Sequence, residues 1–130
     1  MVTTMTDTSN RQKGEESQRR YLAILFSDLS DSSRLAGTME AEDFSDLLQK
    51  LRRAYEDIVP KHGGTIVQIQ GDGLLASFGY PEAHEDDGRR ATEAALDLHD
   101  VVRSLRFDPS RPNLRIAISI QDTRSLASSV

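Results

Sequence analysis

Only three residues, Gly71-Asp72-Gly73, separate two β-compatible segments, Thr65 to Gln70 and Leu74 to Phe78. A link this short commits the two strands to an antiparallel hairpin. What flanks the hairpin then decides the fold. Upstream, apolar residues fall at Met39, Phe44, Leu47, Leu48, Leu51, Tyr55, Ile58 and Val59, close to the three-and-four spacing of one helical face. Thr38 is the expected N-cap, and Pro60 followed by Gly63-Gly64 the expected stop. Downstream, "PEAHEDDGRRATEAALDLHDVVRSL" is acidic at its start and basic at its end. Its stripe of Ala91, Ala94, Ala95, Leu98, Val101, Val102 and Leu105 predicts a second helix.

The outer segments read as strands. "YLAILF", from Tyr21, is a continuous apolar run followed by the polar cluster Ser27 to Ser33, which suits a buried central strand that ends in a loop. At the other end Leu114, Ile116, Ile118 and Ile120 alternate with Arg115, Ala117, Ser119 and Gln121, the two-residue period of a half-buried strand. Strand, helix, strand, strand, helix, strand is the ferredoxin-like βαββαβ arrangement, an α+β sheet with two helices on one face. Right-handed crossovers bring the first strand beside the third. Asp28, at the exit of the first strand, then meets the hairpin that carries Asp72.

Composition narrows the partners. The chain of 130 residues fits one domain, expected over residues 20–121, because the opening residues 1–19 hold too few apolar side chains to offset ordering entropy. Residues 122–130 are expected to form a divergent or disordered tail. A net charge of -5 with acids and bases interspersed provides no basic stripe, so nucleic acid is not an expected partner. There is no cysteine, which excludes disulfides and thiolate metal sites. No apolar run approaches the ~20 residues that span a bilayer, and no signal-peptide pattern opens the chain, so a cytoplasmic protein without membrane attachment is expected.

Two carboxylates brought together repel unless a cation lies between them. Magnesium fits such a position, being a hard ion that takes oxygen ligands from one or two carboxylates and substrate phosphates. Two such ions can stabilise both the attacking and the leaving oxygen of a phosphoryl displacement, which makes a nucleoside triphosphate the natural substrate. Taken singly, Gly-Asp-Gly is an ordinary tight turn and Asp28 an ordinary strand-end acid. Their joint placement carries the functional reading. His62, His84 and His99 lack ligand spacing and are expected in surface or loop roles; "HEDD" reads as a favourable charge pattern at a helix start. Arg19-Arg20 and Arg89-Arg90 read as solvated faces.

Three stretches, "LFSDLSDSSRLA", "HGGTIVQIQGDGLLASFG" and "PEAHEDDGRRATEAALDLH", together resemble the class III adenylate/guanylate cyclase catalytic domain, in order and at the usual spacing. The likeness covers Tyr21 to about Ile120. It implies formation of cyclic AMP or cyclic GMP from ATP or GTP, with pyrophosphate released, using two Mg²⁺ or Mn²⁺ ions per site. It implies Asp28 and Asp72 as the catalytic, metal-binding aspartates, with Leu29 lending a backbone carbonyl to a metal. Ser30, Asp31, Ser32 and Ser33 would offer backbone amides to the triphosphate, and Gly71 belongs to the same hairpin signature. The family builds its sites between two domains, which implies a homodimer or pairing with a related cyclase domain.

The chain departs from the family at three places. Asp31 stands where glycine is usual and adds negative charge close to the expected phosphates. Gln68 stands where a base-reading lysine is common, which leaves the choice of base open. After "LRIAISI" the family continues into elements that supply further base-reading and transition-state residues, whereas here "QDTRSLASSV" follows and offers no match. The expectation is a C-terminally truncated domain with weak or no turnover alone. The main alternative is a catalytically inactive cyclase homology domain that dimerises or regulates. A polymerase-palm or diguanylate-cyclase relative ranks below both, because the hairpin lacks paired acids.

Overall fold

The computed structural model describes residues 21–105 and 112–122. The expected lead-in over residues 1–19 and the Arg19-Arg20 pair lie outside the described residues, as does the expected tail apart from Asp122. The described residues include four strands, β1 (Tyr21–Leu29), β2 (Thr65–Gln70), β3 (Gly73–Phe78) and β4 (Leu114–Asp122). Three helices join them, α1 (Ser32–Thr38), α2 (Ala41–Lys61) and α3 (Asp87–Ser104), in the order β1-α1-α2-β2-β3-α3-β4. The sheet order is β2-β3-β1-β4 and each neighbouring pair is antiparallel. This is the ferredoxin-like α+β arrangement, with a short third helix added.

Alternation along the strands sorts the two faces. Ala23, Leu25 and Leu29 of β1 and Leu74, Ala76 and Phe78 of β3 join one core cluster with Leu47, Leu51, Tyr55 and Val59 of α2 and Ala91, Ala94, Leu98 and Val102 of α3. Each large side chain buried there contributes about 1.5–3 kcal/mol. The intervening residues, including the half-exposed Phe26 and Asp28, take the opposite face, against which no described helix packs. No helix among the described residues is long and apolar enough to cross a membrane.

The element boundaries differ from the pattern-based expectation in several places, among them α3, which begins at Asp87 and not within the preceding Pro81 to Asp86. Pro60 does not stop α2, which continues to Lys61. A proline this close to a C-terminus forfeits only one rung of the ladder, and the stop falls to Gly63 at φ +81. Thr38 is no N-cap; it ends α1, and Glu40 precedes α2. Ser27 to Leu29, expected in a loop, extend β1, because Ser27 finds a buried hydrogen-bond partner and Asp28 turns to the helix-free face. Ser32 and Ser33, expected in that loop, open α1, whose only buried residue is Leu35. A single anchor leaves no periodicity to detect.

Two polar residues are less solvated than expected. His62 is mostly buried, its Nε2 2.6 Å from Asp97 Oδ2, which fastens the end of α2 to α3. Asp87 of "HEDD" is buried at the start of α3, where its Oδ2 accepts the His84 amide at 2.6 Å. His84 is partly exposed in the preceding loop, and His99 is partly buried on α3. Arg89 and Arg90 pair with Asp86 at 2.9 Å each, Arg90 the less exposed of the two.

Candidate active site

Asp28 and Asp72 arrive at the same end of the sheet by separate routes. In the β1–β3 ladder Ser27 stands opposite Leu74, so the next residues outward are Asp28 on one strand and the hairpin on the other. Gly71 takes φ +59, a left-handed value that glycine adopts without steric cost, and lets the turn close tightly. Asp72 Oδ2 then accepts the Leu29 amide at 2.8 Å. The hairpin carboxylate is thereby tied to the residue that follows Asp28.

Asp28 faces Arg115 in the β1–β4 register. The Arg115 guanidinium donates from Nε to Oδ1 and from Nη2 to Oδ2, both at 3.0 Å, a bidentate pair. The hydrogen bonds that Arg115 donates to Asp28, and then the charge of Asp28, raise the Arg115 pKa further; Asp31 and Asp72 push the same way and partial desolvation opposes. Three acids thus bear on one guanidinium. Sequence patterning registered Arg115 only as an outward residue of an alternating strand, since which acid it meets depends on register.

Tyr55 was legible only as part of the α2 stripe. Its ring is fully buried, and its hydroxyl lies 2.9 Å from the Asp72 carbonyl and 3.0 Å from Ser27 Oγ. Burial pushes the phenol pKa well above the ordinary range; the Ser27 hydrogen bond opposes, and the charges of Asp72 and Asp28 add to the rise.

An open groove of about 570 Å³ runs along the helix-free face, lined by Asp28, Arg115, Phe26, Gln68, Gln70 and Leu75 among others. Gln68 stands opposite Leu75 in the β2–β3 ladder and donates to Gln70 Oε1 at 3.0 Å. The loop after β1 is less uniform than an amide cradle. The Ser30 amide is bonded to the Asn113 carbonyl at 2.9 Å. Asp31 takes a left-handed φ of 54 with its side chain exposed and 3.7 Å from Arg34. Ser32 and Ser33 open α1, where helix amides have no intrahelical acceptor.

As a donor set the two carboxylates offer hard oxygens. That chemistry fits Mg²⁺ or Mn²⁺ and not a soft metal. Among the described residues no group of three or more His, Asp or Glu side chains is arranged to hold an ion. An ion here would complete its shell with backbone, solvent or phosphate oxygens, as magnesium commonly does.

Comparison with known proteins places this geometry in context. The family model for the adenylate and guanylate cyclase catalytic domain matches residues 15–128. An adenylate cyclase of Streptomyces coelicolor is 33% identical over 105 residues, which cover 81% of this chain and 25% of that protein. An adenylate cyclase of Mycobacterium bovis is 23% identical over 127 residues, covering 92% of this chain and 29% of that protein. The chain therefore spans about a quarter of the length of these relatives. Among solved structures, the guanylyl cyclase Cya2 is similar with a TM-score of 0.72 and 26% identity, over 81% of this chain and 56% of that one. The guanylate cyclase domain of RhGC from Catenaria anguillulae, solved in complex with GTP, gives 0.70 and 25%, over 79% and 57%. With the sheet order and this match over most of its length in agreement, the chain belongs to the adenylate and guanylate cyclase catalytic domain family.

Proposed function

We propose that this domain forms a 3′,5′-cyclic nucleotide and pyrophosphate from ATP or GTP, in cyclic nucleotide signalling, with Asp28 and Asp72 holding two Mg²⁺ or Mn²⁺ ions. The observation that supports it most is the Leu29 amide on Asp72 Oδ2, which sets two carboxylates from distant parts of the chain at one sheet end. Bound divalent ions would supply charge neutralisation for the triphosphate and activation of the ribose 3′-hydroxyl. The chain's own task is positioning. Asp72 is oriented by the Leu29 amide, Ser32 and Ser33 offer the amides of a helix start to phosphate, and Arg115 adds positive charge at the rim of the groove. Gln68, in the same groove, both donates and accepts hydrogen bonds, so it suits either purine.

Pairing with a second cyclase domain, as a homodimer or with a related chain, belongs to this reading. The helix-free face, where Phe26 is half exposed beside the groove, is the surface available for it. A second reading, a cyclase homology domain that pairs with or regulates a partner without turnover, draws on the Arg115 grip on Asp28 and on the charge of Asp31.

The test is incubation with ATP or GTP and Mn²⁺, scored for cyclic product, for the chain alone and mixed with a related cyclase domain. Product that disappears in Asp28→Ala and Asp72→Ala supports the enzymatic reading. No product in either setting, together with unchanged nucleotide affinity in both variants, rejects it.

A further inference from the structure

The core position that Tyr55 fills needs only an apolar ring, yet it carries a hydroxyl that must find partners at depth. Both partners belong to the candidate site. Because a carbonyl only accepts, the single phenolic proton goes to the Asp72 carbonyl at 2.9 Å. The Ser27 hydroxyl, 3.0 Å away, must then be the donor to the Tyr55 oxygen. The result is a directed chain, Ser27 to Tyr55 to Asp72, that joins β1, α2 and the hairpin within the core. Ser27 immediately precedes Asp28, and Asp72 is the other carboxylate. The Leu29 amide on Asp72 Oδ2 closes the same circuit from the far side.

We infer that Tyr55 is a positioning residue: it fixes the Asp72 backbone against β1 and so sets the placement of Asp72 relative to Asp28. This rests on the metal-binding reading above, though its first consequence, a firmly held hairpin, does not need a metal. Groups that orient a metal ligand from behind commonly change metal affinity by about 10–100-fold when removed.

The experiment compares the full chain with Tyr55→Phe, which keeps the ring and deletes the hydroxyl. Two quantities are read: Mn²⁺ affinity by electron paramagnetic resonance, and hydrogen exchange of the Leu29 amide relative to the other β1 amides. Tyr55→Phe is expected to weaken Mn²⁺ binding about tenfold and to speed Leu29 exchange selectively by a similar factor. Ser27→Ala leaves the Tyr55 bond to Asp72 in place and is expected to give a smaller loss, about twofold, in both. It serves alone should Tyr55→Phe not fold. Val102→Ala, in the core on α3, controls for general loosening and is expected to change neither quantity. Unchanged values in the folded variants overturn the inference, and so does an equal loss in Val102→Ala. If the unsubstituted chain takes up no Mn²⁺, the metal reading fails and Leu29 exchange decides alone: selectively faster in Tyr55→Phe sustains the positioning role, unchanged removes it.

Discussion

Arg115 on β4 holds both carboxylate oxygens of Asp28 on β1, each at 3.0 Å, across a register in which the two residues stand directly opposite. The guanidinium therefore occupies the same oxygens that a divalent ion would take from Asp28. Both partners are solvent-accessible, at 73% and 44% of their side-chain area, so water screens the attraction and the pair opens at low cost. A cation beside an acid proposed to bind metal would have two consequences of opposite sign. It would compete for the acid before a metal binds, and it would attract the phosphate of an entering nucleotide.

Replacing Arg115 by alanine separates them. In the absence of nucleotide, Arg115→Ala is expected to bind Mn²⁺ more tightly, by no more than about fivefold, since an exposed pair gives little. Affinity for the nucleotide triphosphate is expected to fall in the same variant. Weaker Mn²⁺ binding without nucleotide would show that Arg115 orients Asp28 for the metal instead of competing with it. Titration calorimetry with and without nucleotide reads both.

The raised pKa of Tyr55 fixes the sign of an alkaline effect. The folded protein holds the phenolic proton more tightly than the unfolded chain, whose value is near 10.0. The stability this contributes is complete below that pH and is lost as pH climbs from the unfolded toward the folded value. Thermal unfolding followed from pH about 8 to about 11 should fall more steeply in the parent than in Tyr55→Phe, the difference approaching roughly 1 kcal/mol per pH unit above 10. Parallel curves would contradict the buried, hydrogen-bonded phenol.

Gly79 follows β3 at φ +114, at the far end of that strand from the hairpin. A Cβ there would lie 2.6 Å from Asp87 Oδ2 and 3.2 Å from Leu22 Cα. Neither neighbour can give way, because Asp87 is buried and its Oδ2 is already bonded to the His84 amide. Gly79→Ala should therefore cost at least about 2 kcal/mol in urea unfolding while the folded fraction keeps its Mn²⁺ affinity. A neutral result would mean that the Gly79 to Asp87 packing is looser than drawn.

How far the sequence exposes such a site depends on which interactions set each residue. The hairpin tip, the alternation of Leu114 to Ile120 and the two helical stripes are local signals, and they yielded the strand order and the arrival of Asp28 and the Asp72 hairpin at one end of the sheet. Pro60 misled because a proline withdraws only its own amide from the ladder, and beyond it the His62 amide still reaches the Ile58 carbonyl. Arg115 and Tyr55 were invisible as site residues for another reason. A strand's period gives the face of Arg115 but not its partner, and a helical stripe gives the burial of Tyr55 but not where its oxygen ends. Both follow from register and packing, which are properties of the assembled sheet.

Asp31 is the position where local conformation and charge make separable demands. Its backbone is left-handed, φ 54 and ψ 41, a region that costs an ordinary residue roughly 1–2 kcal/mol and glycine almost nothing. Aspartate tolerates it better than most, so the gain from glycine is smaller, about 0.5 kcal/mol after the added freedom of the unfolded chain is counted. The carboxylate is exposed and only loosely paired with Arg34 at 3.7 Å, so its charge is weakly compensated beside the proposed phosphate position. Asp31→Asn removes the charge and keeps a side chain suited to left-handed backbone; Asp31→Gly removes both. Each is expected to tighten binding of a non-cyclisable triphosphate with Mn²⁺ about fivefold, whereas only Asp31→Gly should raise the unfolding midpoint. A gain in binding confined to the glycine variant would assign the effect to loop conformation, and no gain in either would place the triphosphate away from this loop.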